Sequence, residues 1–215
     1  FVGGYADASS FLLAGTFTGH LTGNCVLAAV SAAGNSWFLT VDRILAVVLF
    51  LGGILVSLVL NRFVSAKVRA SPLAIAMFIE ILLFLCACLF ISSQANELFI
   101  VCMCLALGIQ NGALDRTSGI SVHSTYMTGM VTTLMHKSFD YLSPKRNPKE
   151  EASKPLTAFA ARVLASMWIS FIVGAVTGAV MVRSFHGVGL LGILLVLVPL
   201  TFAELHNKTD AIWVK

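Results

Sequence analysis

The residues able to do chemistry in this chain fall mainly in two places. Gly4-Tyr5-Ala6-Asp7 is followed by Phe17-Thr18-Gly19-His20-Leu21-Thr22-Gly23-Asn24, and Gly108-Ile109-Gln110-Asn111 is followed by Ser124-Thr125-Tyr126-Met127-Thr128-Gly129. Both sets sit in otherwise apolar sequence. His20, Thr22, Gly23, Asn24, Thr125, Tyr126, Thr128 and Gly129 offer hydroxyl, amide, ring and exposed backbone donors, the chemistry that holds a small anionic or carbonyl-bearing ligand. Asp7 and Glu80 are carboxylates inside apolar runs, where an ionised group costs several kcal/mol on insertion scales. With Gln110 and with Asn111, the neutral counterpart of Asp7, they are the candidates for ion or proton coupling. A structural reading competes at each place: a kink lined by small residues for the first set, and a helix-to-helix hydrogen bond for Asp7.

Other chemistry has little support. No histidine stands four residues from another histidine or from a cysteine, so no metal site is expected. No phosphate loop, catalytic-triad spacing or dinucleotide fingerprint occurs. Asp7 and His20 alone make an enzyme unconvincing, and no cofactor is expected. Cys86/Cys88 and Cys102/Cys104 are two apart, on nearly opposite sides of a helix, which suits neither zinc nor a disulfide framework. The cysteines are therefore expected to be buried small hydrophobes.

The elements that must position these residues are membrane helices. The chain is 58% hydrophobic and 11% charged, with a mean hydropathy of +0.91, whereas soluble domains carry about 25% charged residues. Apolar runs recur at close to the roughly 20 residues that cross a hydrocarbon core. They are continuous rather than alternating, so helices are expected and not a barrel. The lipid bilayer is the main partner, with a homo-oligomer or other membrane subunits as further candidates. The basic residues sit in short loops and do not point to nucleic acid. Phe1 runs into Gly3-Gly4-Tyr5 without a basic start or a cleavage pattern, so no cleavable leader is expected and the first helix is expected to lack its beginning.

Six passages are expected, over about 1–34, 41–63, 72–92, 97–141, 157–182 and 187–205. Ser71-Pro72 supplies an N-cap with proline at the first helical position, and Pro199 a kink. A charged, solvated loop is expected at 143–156. The first passage is too long for one straight helix: its 34 residues would reach about 51 Å at 1.5 Å per residue, against a core of about 30 Å. The fourth is longer still. Both must break, at Gly15–Leu21 and Leu114–Met127, with Thr22 and Thr128 expected to cap the half-helices that follow. Beside the second break, Asp115 and Arg116 are expected to form a local ion pair.

The sequence also repeats. Beyond the paired motifs above, Arg43-Ile44-Leu45-Ala46 matches Arg162-Val163-Leu164-Ala165, and Phe50-Leu51-Gly52-Gly53 matches Phe171-Ile172-Val173-Gly174. Gly53/Ser57 and Gly174/Gly178 are small-xxx-small pairs suited to close helix crossings. Three passages per half force the halves into opposite orientation, so 1–92 and 97–205 are expected to form a 3+3 inverted repeat. The two half-helix N-termini would then converge near the midplane, where their free N–H groups favour an anion or carbonyl.

Gly4-Tyr5-Ala6-Asp7-Ala8 with Phe17-x-x-His20-x-Thr22-Gly23-Asn24, and Gly108-x-Gln110-Asn111 with Thr125-Tyr126-x-Thr128-Gly129, resemble the YoaK-like family of small bacterial membrane proteins, whose function is unknown. The resemblance spans nearly the whole chain, with a longer and more charged loop before Lys154. It implies six membrane helices and brings no substrate. The residues themselves point to a transporter or channel with a central site between two broken helices, or alternatively to a non-transporting subunit that assembles a larger complex.

Arginine and lysine orient the passages. Ten lie in the 62–71 connection, in 136–156 and in the C-terminal tail, against Arg43 and Arg183 on the other side. The positive-inside rule places both termini on the cytoplasmic side of a bacterial inner membrane or an equivalent organellar membrane. Impermeant labelling of single cysteines in the C-terminal tail and the 143–156 loop is expected to report the same side. Labels on opposite sides would remove the six-passage count.

Overall fold

The computed structural model describes residues 1–64, 72–92, 96–114, 116–117, 120–121, 127–143 and 148–206. Helix α1 (Val2–Ala14) stops at Gly15, whose left-handed backbone (φ 65°) and N–H bond to the Phe11 carbonyl close the helix, as glycine does with no Cβ to clash. Helix α2 (Leu21–Ala33) then begins, so the first apolar stretch is interrupted where its length demanded. After it come α3 (Trp37–Val64), α4 (Pro72–Ser92) and α5 (Asn96–Ala113). Residues 116–117 and 120–121 pair antiparallel as β1 and β2, with Arg116 opposite Ser121. Helix α6 (Met127–Leu142) follows, then α7 (Pro148–Phe185), a 3-10 segment (His186–Ile193) and α8 (Leu194–His206).

Along α3 the polarity of a soluble helix is reversed. Val41, Ile44, Val48, Leu51 and Leu55 recur at three- and four-residue steps and are exposed, whereas Thr40, Arg43, Ala46, Phe50 and Ser57 form the buried stripe. That is the arrangement expected where the solvent is lipid, with small and polar groups turned to neighbouring helices. Four apolar stretches, 37–63, 72–91, 96–113 and 154–206, are long enough to cross a membrane. The last, at 53 residues, exceeds twice the roughly 20 needed. It folds back on itself after His186, which takes a positive φ of 51°, and a side chain at Gly189 would strike the Met181 carbonyl.

The long helices cross on glycine. Helix α1 packs on α7, α5 on α3, α2 on α3 and α6 on α7. A Cβ on Gly53 would lie 2.6 Å from the Leu105 carbonyl oxygen and 2.9 Å from Gly108 Cα, and one on Gly178 would lie 2.5 Å from the Tyr5 carbonyl. Gly4 meets the backbone of Phe171 and Gly108 that of Phe50 in the same way. The main core lies among α1, α3, α4, α5, the 3-10 segment and α8 around Phe50, Phe84, Met103 and Leu190, and a smaller one joins Met130 and Leu134 of α6 to Leu164.

Several expectations are corrected. The charged 143–156 loop is helical from Pro148 onward; Pro148 at the first helical position costs nothing, since that N–H has no partner to lose, whereas Pro155 lies inside α7 and forgoes one intrahelical bond. The stretch expected as the sixth passage starts as a 3-10 turn instead of an α-helix, and Pro199 sits inside α8 as a kink requires. Cys102 and Cys104 are buried, but Cys25 and Cys86 are exposed on the helix surface. The second break holds a short ladder, while Ser71, Asp115 and residues 122–126 lie outside the described residues.

Neighbouring glycines test the crossing. Gly52 has only Leu105 Cδ2 at 4.0 Å, so Gly52→Ala is expected to change stability by no more than about 1 kcal/mol, the helix-propensity difference. Gly53→Ala forces α3 off the α5 backbone and is expected to cost about 1–3 kcal/mol. Denaturant titration in micelles distinguishes the two, and equal effects would mean that α3 and α5 do not cross at Gly53.

Candidate functional site

The connection between α1 and α2 contains six residues, Gly15 to His20, none in a helix, and its Thr16 and Thr18 are fully buried. Unpaired backbone at such a place costs free energy comparable to a lost hydrogen bond, and three side chains prevent that loss. Asp7, one side of α1, accepts at Oδ1 from the backbone N–H of Thr18 at 2.9 Å and of Gly19 at 2.6 Å, and from the Thr18 hydroxyl at 3.4 Å. Asn24 grips Phe17 at both ends: Nδ2 donates to its carbonyl at 2.6 Å, and Oδ1 accepts its N–H at 3.1 Å. Arg43, reaching from α3, donates from Nε and Nη2 to the Gly15 carbonyl at 3.3 and 3.1 Å. Its Nη1 donates to the Leu27 carbonyl at 2.7 Å and to the Ser31 hydroxyl. Ser10 ties the cluster to α1, donating to the Asp7 carbonyl and lying 3.3 Å from the Thr18 hydroxyl. Phe17 stacks on Phe11 at 4.6 Å and tilts against His20 at 5.5 Å.

The electrostatics follow from this frame. Arg43 meets the C-terminal end of α1, where carbonyls point outward and a cation is favoured. Asp7 meets free N–H groups of the same connection. Anion and cation thus hold opposite ends of one short segment. Asp7 Oδ2, Ser9 Oγ, Gln110 Oε1 and both oxygens of Glu80 are buried and have no hydrogen-bond partner among the described residues.

The residues singled out from the sequence divide sharply. Asp7 and Asn24 converge on the connection. His20 occupies the N-cap position of α2 without a side-chain capping bond, while Thr22 is exposed within the first turn. Thr22 therefore does not cap α2. The same register recurs in α6, where Thr128 is the exposed second residue and its carbonyl accepts the Thr132 hydroxyl at 3.1 Å. Gly23 and Gly129 are half-buried third residues, and a Cβ on Gly23 would meet the His20 and Phe17 rings. Gln110 and Glu80 are buried, Glu80 completely, and Asn111 is half-buried. Thr125 and Tyr126 lie outside the described residues.

Arg43 is a residue of this cluster that the sequence does not single out. Counted as a loop charge matched with Arg162, it is buried, whereas Arg162 is exposed. The signal was present: Arg43 stands six positions into an apolar helix, too deep for a topological charge that needs only to reach water.

Asn24→Ala leaves the Phe17 N–H and carbonyl without their partner and is expected to cost about 1–3 kcal/mol. Thr22→Ala removes an exposed side chain with no capping role and is expected to stay within about 0.5 kcal/mol. Thermal unfolding in detergent measures both, and a larger loss from Thr22→Ala would contradict the assignment of the tether to Asn24.

No curated protein and no solved structure matches the chain. The family model described as "Protein of unknown function (DUF1275)" matches residues 1–203, nearly the whole sequence. The chain, a helical protein with the apolar spans of a membrane protein and a buried, side-chain-tethered break in its first helix, belongs to the DUF1275 family.

Proposed function

We propose that this protein is a small transporter or channel for a small molecule or ion, built from two inverted repeats with its binding region between the broken helices α1/α2 and α5/α6. The observation that carries the reading is the α1–α2 connection: non-helical backbone inside a helical bundle, held in place and carrying a buried carboxylate. Interrupted helices at membrane depth are tolerated where protein or a cavity satisfies them, and they recur at transporter binding sites.

The repeat reading draws support from the helix crossings. Gly4 and Gly108 are 104 residues apart, and Phe50 and Phe171 are 121 apart. Gly4 sits over Phe171 as Gly108 sits over Phe50, and Gly53 meets the Leu105 backbone as Gly174 meets that of Phe1, which is also 104 residues from its counterpart. One pair of offsets therefore interconverts the α1–α7 and α3–α5 contacts. The Arg43–Arg162 match, offset by 119, falls out of this register along two unbroken helices. The start of α2, which has no side-chain capping bond, and that of its counterpart α6 supply backbone donors for an anionic or carbonyl-bearing ligand. We place the Lys/Arg-rich ends, with both termini, on the cytoplasmic side of a bacterial inner membrane or its organellar equivalent.

The test is solute flux in proteoliposomes against a panel of small anions, amino acids and cations. At least one solute is expected to move with the protein and not without it. Gly23→Leu, which displaces the His20 and Phe17 rings, is expected to slow that flux by about tenfold or more, some 1.4 kcal/mol, with insertion unchanged. Absence of flux for every solute, together with a stable partner on native purification, would favour the assembly-subunit reading instead.

A further inference from the structure

Asp7 is 5% exposed and its two carboxylate oxygens live in different surroundings. Oδ1 receives three donors from Thr18 and Gly19, whereas Oδ2 receives none among the described residues. Each protonation state is served by one oxygen. The ionised form is stabilised by the N–H groups on Oδ1 and, at the other end of the connection, by Arg43. The acid form places its hydrogen on Oδ2 and keeps Oδ1 as a weaker acceptor, because bonds to an ionised acceptor are roughly twice as strong as those between neutral groups. Glu80 shows the contrast: among the described residues no donor reaches either of its oxygens.

We infer that Asp7 is a proton-binding site, taking its proton on Oδ2, and that its occupancy sets how tightly α1 holds the 15–20 connection. Empty of a proton, Asp7 grips Thr18 and Gly19; loaded, it loosens them and frees the start of α2 to move. The ligand is a proton and not a metal ion. A hard cation takes about six oxygens, and among the described residues Asp7 Oδ2 has no hydrogen-bond partner. The other unpartnered oxygen on α1, Ser9 Oγ, lies two residues on, toward Gly178 of α7, and among the described residues no three His, Cys, Asp or Glu side chains gather.

The other titratable groups on the packed elements are few. His20 comes from the connection itself and Cys104 from α5, both close enough to interact electrostatically with Asp7. Cys102 and Glu97 stand further along α5. Helix α7 has no ionisable residue between Arg162 and Arg183, and the 3-10 segment has only His186 at its start. A His20→Gln variant separates the contribution of that neighbour.

This inference deepens the transporter reading of the same site, and its test is read on the connection itself. Full-length protein in nanodiscs is followed by hydrogen–deuterium exchange across pH, each rate corrected for intrinsic exchange, with an α3 peptide as reference. Protection of the Thr18 and Gly19 amides is expected to fall by about tenfold as pH drops, in wild type and in His20→Gln, because the charge-assisted bonds weaken. Asp7→Asn is expected to abolish the dependence. Thr18→Val removes one donor to the ionised form and is expected to move the midpoint to higher pH, which keeps the idea testable should Asp7→Asn not fold. A pH-independent connection in wild type, or a midpoint unmoved in Thr18→Val, overturns the proton site even in a protein that transports. Absent flux with an intact pH response overturns the transport reading alone.

Discussion

Everything near the first break depends on one requirement: peptide groups that leave a helix inside an apolar bundle must find partners within the protein. Water is not there to take them, and each orphan costs on the order of a few kcal/mol. Residues 15–20 meet the requirement by drawing on three elements at once, Asp7 from α1, Asn24 from α2 and Arg43 from α3. The tether that satisfies the backbone is therefore also what fixes the angle between the two half-helices. Removing it does more than lose hydrogen bonds, because α1, α2 and α3 no longer share a common anchor.

The charges follow the same logic. A lone ion in this setting is costly, and a direct ion pair recovers that cost only with good geometry. Here Asp7 and Arg43 are joined through the peptide groups of the connection, the anion on N–H groups and the cation on a carbonyl. Each charge is solvated by oriented backbone dipoles, as water would solvate it, and the dipoles are held in that orientation by the charges. The glycine crossings make room for this. With no Cβ at Gly4, Gly174 or Gly178, α1 lies directly on α7, and its polar side is pressed toward the connection instead of lipid.

The sequence made some of this legible and hid the rest for physical reasons. The break near Gly15 followed from length alone, since 34 residues of continuous helix overrun a bilayer, and α4 was bounded by Pro72. The helical start of α7 was hidden because Pro148, Pro155 and the surrounding charges read as a solvated loop, although Pro148 is harmless at the first helical position, Pro155 forgoes a single intrahelical bond, and charge alone does not prevent a helix. The capping role given to Thr22 failed because hydroxyl caps are the common solution for a helix start, whereas here the neighbouring donors of the connection are taken by a carboxylate one helix away. Arg43 was passed over because a basic residue near a helix end is usually topological. Its partners are carbonyls and a hydroxyl, which leave no complementary charge in the sequence to search for.

The proposed repeat makes one further feature intelligible. Under the offsets that relate the helix crossings, Asp7 corresponds to Asn111 and Arg43 to Leu164, which is buried in the smaller core. Both charged anchors of the first connection thus have neutral counterparts in the second. At the second break, Arg116–Thr117 and Ile120–Ser121 pair with each other through backbone hydrogen bonds. A ladder closed on itself does not titrate, while a segment held by a carboxylate does. Two halves with the same packing would then differ at these anchors, one carrying Asp7 and Arg43 and the other Asn111 and Leu164. In the proposed inverted pair, positions 7 and 43 would carry this chemical asymmetry, alongside the ladder that only the second break contains among the described residues.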